Sequence, residues 1–380
     1  MKFKISSALL SHVLQNAYKA ISPKQTMPIL GYFLFVLKEE KLTVTASDLD
    51  STIIAEIEVE SLNNGSGRIA VPANTFMDVL RELGDQPITI EIDQDNFEIK
   101  MTWSTGDIVV TGLNGFGYPE IENQNIIGQP TSLTLKSEEL IAGISKSHFA
   151  TSNGTARPIL TGILIDITPE NVFFVATDAH QLVKLTIVKH TDIEEPTSII
   201  IPKKTALLLR SIISKDDGDV VLEFGGNNIK FTVGGYSYIS RIIEGKFPNY
   251  NGAIPLSNPN KVTVNRLELL NSIKRVSVCS KNSNNLISLS VTADNIFLEA
   301  KDFAYSSSAN DNVACCYEGL EEKIEINLKA VNFIDMLSAL SSNDVLLEMS
   351  GNTRAVLLSA IDSEDVLEKS IIMMLMPVTI

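Results

Sequence analysis

Tryptophan, cysteine and histidine are scarce in this chain, at one, three and four among 380 residues. The cysteines are Cys279, Cys315 and Cys316. Sequence neighbours rarely bridge each other, and no Cys-x-x-Cys pair offers zinc ligands. Neither a disulfide framework nor a zinc ribbon is expected, and a reduced, cytoplasmic setting is the simplest one. His12, His148, His180 and His190 show no HxxxH or HExxH spacing. No GxSxG, no P-loop and no GxGxxG opening a helix is present. No apolar run approaches the roughly 18–20 residues of a membrane span. The start, MKFKISSALLSHVLQNAYKA, breaks its apolar stretch with polar residues, unlike a signal peptide. An excess of positive charge is missing too. The net charge of −15 by itself speaks against nucleic acid, whose phosphates need Lys and Arg. Only the location of the charges can answer that objection.

What is present is an internal repeat. MKFKISSALLSHVLQNAYKAI at the start resembles SLTLKSEELIAGISKSHFA from Ser132 and KVTVNRLELLNSIKRVSVCS from Lys261. Leu10, Leu140 and Leu270 lie 130 residues apart. The same offset relates Pro28-Ile29-Leu30 to Pro158-Ile159-Leu160, and Ile69-Ala70-Val71-Pro72 to Ile199-Ile200-Ile201-Pro202. It also relates Thr45-Ala46-Ser47-Asp48 to Val175-Ala176-Thr177-Asp178. In the third copy, Leu298–Asp302 and Ile324–Asn327 hold the matching places at slightly shorter spacing. The period is too long for a solenoid unit, so each copy is a domain. Turn formers cluster near Ile126–Pro130 and Pro255–Pro259, which gives domains 1–127, 128–256 and 257–380. The apolar fraction of 44% supplies a core for each.

Every copy follows one plan. A short alternating strand (Phe3, Ile5) leads into a helix with Leu9, Leu10, Val13, Leu14, Ala17 and Ile21 on one face. Period-two strands follow over 29–37, 41–46 and 51–60. Pro72 then precedes a second helix over 74–83, where its missing N–H does no harm. Strands over 88–92, 97–103 and 107–112 close the copy. The fold class is α+β: three repeated domains of antiparallel sheet with two helices each.

The expected helices cover 6–21, 73–83, 137–150, 203–215, 265–281 and 328–340. They hold twelve basic and six acidic residues, a balance of +6, which leaves −21 for the rest of a chain at −15. Helices facing one surface would therefore attract DNA while the remainder repels it. The bland reading is that Lys and Arg are good helix formers. The clusters Lys203-Lys204, Arg210, Lys215 and Lys274-Arg275, Lys281 are the stronger part of the pattern, with Lys146 on the third helix and Lys24 in a turn beside the first.

The order MKF, TMPILGYFLF, LTVTASDLD, IAVPANTF and LNGFGYPEI in the first third resembles the β subunits of bacterial DNA polymerase III, the DNA sliding clamp family. So do ATDAHQLV, SIIIPKKTALLLR and EGKFPNYNGAIP in the middle, and the MPVTI tail. The resemblance implies a six-domain ring closed head to tail by two chains, with helices lining the hole and sheet outside. Such closure fits a heterologous interface that joins edge strands. It implies duplex DNA, a second copy, the catalytic polymerase subunit, the clamp loader complex and other repair and replication proteins as partners. It implies no cofactor, metal, catalytic residue or membrane. At the dimer interface Ile108 and Val110 would meet Val278 and Cys279.

The resemblance also implies a groove for partner peptides between domains 2 and 3. Its matching positions are Leu160, Thr177, Ala179, His180 and Leu182, with Pro248, Met374, Met376, Pro377 and Val378. A Met-containing apolar groove repacks around different peptides. The family has TDGHR where this chain has Thr177-Asp178-Ala179-His180-Gln181, and an arginine where this chain has Gly252. The rim is expected to be less basic than usual. Lys24, Lys203 and Lys204 match basic DNA-contacting family positions, whereas a family glutamine near Gly154 is absent. Two other classes compete. An enzyme would use Asp178 with His180, yet the Asp recurs in copies one and three without the His, which points to a turn. A protein-only β scaffold would make no use of the basic clusters.

Overall fold

The computed structural model describes residues 1–63, 65–119, 130–280, 284–302 and 305–379. The helices are α1 (Ser7–Tyr18), α2 (Ala73–Glu82), α3 (Ser137–Ser147), α4 (Lys203–Ile212), α5 (Arg266–Val276), α6 (Ala330–Ala339) and the short α7 (Val366–Lys369). Two of the longer ones, and α7 behind Asp365, begin where a polar side chain satisfies a free amide. Ser6 Oγ accepts from the Leu9 amide at 3.3 Å, and Asn265 Oδ1 from the Glu268 amide at 3.1 Å. Pro72 directly precedes α2 and Pro202 directly precedes α4. Leu10, Leu140 and Leu270 are all buried, so the 130-residue period marks equivalent core positions.

The helices end earlier than the periodicity predicts. The α1 cap is Lys19, and tight 3-10 turns over His148–Ala150 and Ser277–Ser280 replace the last turns expected of α3 and α5. Helix ends commonly tighten this way to satisfy their last carbonyls. Within these shorter bounds α1 to α6 carry eight basic and six acidic residues, and only α4 and α5 have a positive balance.

By contacts the chain groups into two compact units. Unit 1 is Met1–Glu138 with Ser211–Ile242, and unit 2 is Glu139–Arg210 with Ile243–Ile380. The boundary expected near 126–130 falls largely outside the described residues.

Unit 1 contains a five-stranded and a nine-stranded sheet. The first runs Glu60–Ser61, Lys2–Ser6, Pro87–Ile92, Glu98–Trp103, Gly106–Thr111. The second joins the strands of residues 32–58 to those of 219–241 through Ser51–Glu58 against Tyr236–Arg241. Phe3, Phe33, Phe35 and Phe76 are buried at its core. Phe35 meets Phe76 of α2 edge-on, centroids 6.3 Å apart, a geometry worth about 0.5–1.5 kcal/mol beyond area.

Unit 2 is built on one twelve-stranded antiparallel sheet. Its middle runs Gly162–Ile167, Asn171–Thr177, Gln181–Val188, Ile371–Leu375, Val356–Ile361. Here the second and third repeats share one hydrogen-bonded ladder, Leu182 opposite Met374. On one face α3 lies so close that a Cβ on Gly143 would sit 2.5 Å from the Phe174 ring, so this helix interior tolerates only glycine. Alternation along the strands sends the neighbours of Phe174 to the other face, where the functional groups gather.

Candidate functional site

On that second face, Leu160, Leu164, Val175, Leu182, Leu357 and Met374 form one buried apolar cluster. Segment 243–259 has no regular secondary structure and covers the cluster with Phe247 and Tyr250. Polar contacts pin this cover. The Tyr250 hydroxyl donates to Asp166 Oδ2 at 2.6 Å, and Lys184 Nζ donates to Asn251 Oδ1 at 2.9 Å. Lys184 Nζ also lies 4.7 Å from the Phe173 ring centre and 5.4 Å from that of Tyr250, a cation–π placement. Burial lowers the Lys184 pKa against the opposing pull of Asp166, and burial with Asp166 raises that of Tyr250.

After the strand Asn171–Thr177 the chain turns through 177–181. Asp178 Oδ1 accepts from the amides of His180 at 2.8 Å and Gln181 at 2.9 Å. The same side-chain turn recurs at Asp48, which accepts from Ser51 N at 2.8 Å, and at Asp302, which accepts from Tyr305 N at 3.2 Å. These carboxylates shape turns. Ala179 takes φ +78°, as Leu49 does 130 residues earlier, in the left-handed region that favours glycine. Gln181 is buried and turns its amide to Asp178 Oδ2 at 3.2 Å and to the Phe149 carbonyl at 3.5 Å.

The tail runs beside this turn. The Met376 amide donates to the His180 carbonyl at 2.8 Å, and Val378 to Asn327 at 2.9 Å. Of the expected groove positions, Leu160, Leu182 and Met374 lie in the apolar cluster, and Thr177, Ala179 and His180 form the turn at its end. Pro248 is an exposed neighbour of Phe247, and Met376 is held against the turn. Phe173, Lys184, Tyr250 and Leu357 were missed. Alternation marks Leu357 as apolar, but nothing local says which sheet face the cover occupies.

The basic candidates separate clearly. Lys203 and Lys204 stand in the first turn of α4 and Arg210 in its last, with no acidic residue in that first turn. Lys203 Nζ donates to Asn153 Oδ1 at 3.1 Å. Lys274 and Arg275 occupy the last turn of α5 and are exposed, Arg275 being paired with Asp311 at 2.5 Å. In unit 1, Lys24 and Lys215 are exposed. Lys281 lies outside the described residues. Lys146 departs from the expectation. It is buried, with Nζ 3.3 Å from Glu368 and 3.5 Å from Asp365. Glu368, wholly buried, also accepts the Ser341 amide at 2.7 Å and the Ser342 amide at 3.0 Å, and the Ser341 hydroxyl bonds to it. Burial pushes the Glu368 pKa up, but these donors and Lys146 outweigh it and hold the carboxyl at about 2. A charge so committed cannot reach a phosphate.

Comparison with known proteins decides the family. Residues 1–122, 134–249 and 251–375 match the N-terminal, central and C-terminal domains of the DNA polymerase III beta subunit. The chain belongs to the DNA polymerase III beta subunit family. It is 26% identical over 368 residues to the beta sliding clamp of Pseudomonas putida, covering 96% of this chain and 97% of that one. It is 28% identical over 367 residues to that of Staphylococcus aureus, covering 94% and 95%. The fold matches the DNA polymerase sliding clamp of Pseudomonas aeruginosa with a TM-score of 0.92 at 23% identity over the full length of both chains. It matches that of Bacillus subtilis with 0.90 at 23%, over 100% of this chain and 99% of the other.

A beta subunit is the non-catalytic processivity member of its polymerase. Asp178 Oδ1 accepts the backbone amides of His180 and Gln181, the contacts of a turn. Where the resemblance places TDGHR, Ala179 of this beta subunit takes the left-handed conformation that favours glycine, and Gln181 turns its amide inward.

Proposed function

We propose that two copies of this beta subunit close head to tail around duplex DNA, hold it through loose, sequence-blind phosphate contacts, and tether the polymerase through the groove beside the 177–181 turn. The first turn of α4 carries the proposal. Two lysines at a helix N-terminus oppose the macrodipole and cost about 0.3–1 kcal/mol each at exposed sites. Helix propensity gives no reason to place them there, whereas attraction for phosphates does. Lys274 and Arg275 suit both readings, because cations at a C-terminus are favourable.

Each unit also offers a sheet edge that supports head-to-tail closure. Among the described residues Gly106–Thr111 pairs on one side only, with Ile108 and Val110 half-buried and Val109 49% exposed. Residues 307–314 pair with 295–302, while only 315–318 continue onto 261–264, so among the described residues the first stretch has one unpartnered edge. Val278 is 62% exposed and Cys279 half-buried, in the turn after α5. Edges of this kind seek a strand. The tail and turn form the groove's polar end, with Pro377 and Val378 beyond Met376.

The test is topological. The loaded protein should stay on closed circular DNA and be lost when that DNA is cut, because a ring slides off an end. Equal retention on both forms would reject encirclement. Deleting 376–380 should weaken binding of polymerase-derived peptides while sedimentation still reports a dimer. Unchanged peptide affinity would reject the groove.

A further inference from the structure

His148 opens the 3-10 turn after α3, half-buried, with Phe149 edge-on at 6.3 Å. Its Nδ1 lies 3.1 Å from the carbonyl oxygen of Ile144 and 3.1 Å from that of Ser145. Carbonyl oxygens only accept, so Nδ1 carries the hydrogen. In the neutral ring Nε2 is then left with its lone pair and can only accept. Nη1 of Arg210, which can only donate, stands 3.5 Å from that nitrogen. One tautomer of one side chain thus suits both neighbours.

We propose that His148 is a positioning residue for DNA contact: α3 fixes its tautomer, and its Nε2 lone pair steers the exposed guanidinium of Arg210 toward a backbone phosphate. This rests on the DNA-facing reading of α4 given above. The other charged groups facing the ring are Lys203 of α4 and Asp335 of α6. Lys203 is steered in parallel by Asn153 at 3.1 Å, so both ends of α4 have their cations held by side chains from the segment after α3. Burial and then the Arg210 charge lower the His148 pKa, which keeps the ring in the neutral, accepting form. A protonated ring would turn a donor toward a donor and a cation toward a cation, and Arg210 would swing away from it.

A double-mutant cycle tests this, read as affinity of the full-length protein for a short fluorescein-labelled duplex across a salt series. Arg210→Ser should weaken binding about fivefold and lower the salt slope by about 0.9, one phosphate contact. His148→Phe should reproduce most of that loss, His148→Gln, which keeps an acceptor, should restore it, and His148→Phe with Arg210→Ser should bind no more weakly than Arg210→Ser alone. Long-range proton–nitrogen spectra should show His148 in the Nδ1–H form, with Nε2 moving when Arg210 is replaced. Losses that multiply in the double variant, or a His148→Phe protein that binds like the parent while Arg210→Ser does not, overturn the positioning role alone. An Arg210→Ser protein with unchanged affinity and slope overturns the DNA-facing reading and the positioning role together.

Discussion

The two helices of the middle repeat treat their lysines in opposite ways. On α3, Lys146 is turned inward against a wholly buried glutamate. On α4, Lys204 is exposed and Lys203 half-buried at the end where the helix field repels them. The difference separates a charge used for stability from charges that, on the proposed reading, serve a ligand. A buried ion pair ties elements together, and losing one partner leaves the other uncompensated. A cation at a helix N-terminus is opposed by the helix field, so its placement there adds nothing to the stability of the helix.

The comparison breaks most easily at Lys146. Lys146→Met should destabilise by about 3 kcal/mol, whereas Lys203→Met should stay within about 0.5 kcal/mol; urea unfolding monitored by circular dichroism measures both. Equal effects would erase the distinction. The pair also predicts an acid limb. A carboxyl at about 2 when folded and near 4.5 when free contributes its stability above 4.5 and loses it as pH falls toward 2. Glu368→Gln should flatten that limb of the stability profile, and an unchanged slope would mean the carboxyl is not held as the structure shows.

Next in size is the ligand side. Replacing Lys203, Lys204, Arg210 and Lys215 with Ser should lower duplex affinity about tenfold at low salt and reduce the salt slope by about 0.9 for each phosphate no longer neutralised. Stability should stay within about 1 kcal/mol, because the two charges that oppose the dipole at the start of α4 are offset by Arg210 at its end, where a cation is favourable. A loss of stability with unchanged DNA binding would restore the bland helix-former reading. The smallest effect is at the 177–181 turn. Ala179→Gly should stabilise by about 1 kcal/mol by relieving a left-handed alanine. Leu49→Gly should gain less, since the Leu49 side chain packs against Leu30 and Tyr118 and glycine has nothing to put there. Melting curves of the two variants give the difference.

Repetition made much of the fold legible. Leu10, Leu140 and Leu270, the prolines before α2 and α4, and the recurring Asp48 and Asp178 all kept their expected roles, because each depends on local periodicity, capping or turn chemistry. Leu160, Leu182 and Met374, expected together by resemblance, do lie in one buried apolar cluster.

What the sequence could determine by itself was whatever a residue decides with its near neighbours: where helices start, which face is apolar, where a chain turns. Tertiary structure decided what distant segments do to one another. Nothing around Lys146 announces Glu368, which lies 222 residues away. Nothing around His148 announces Arg210, and nothing in 243–259 announces the sheet it covers. Charge is the property most exposed to this limit, because a cation's free energy depends on whether water, a carboxylate or a phosphate surrounds it, and only the folded chain settles which.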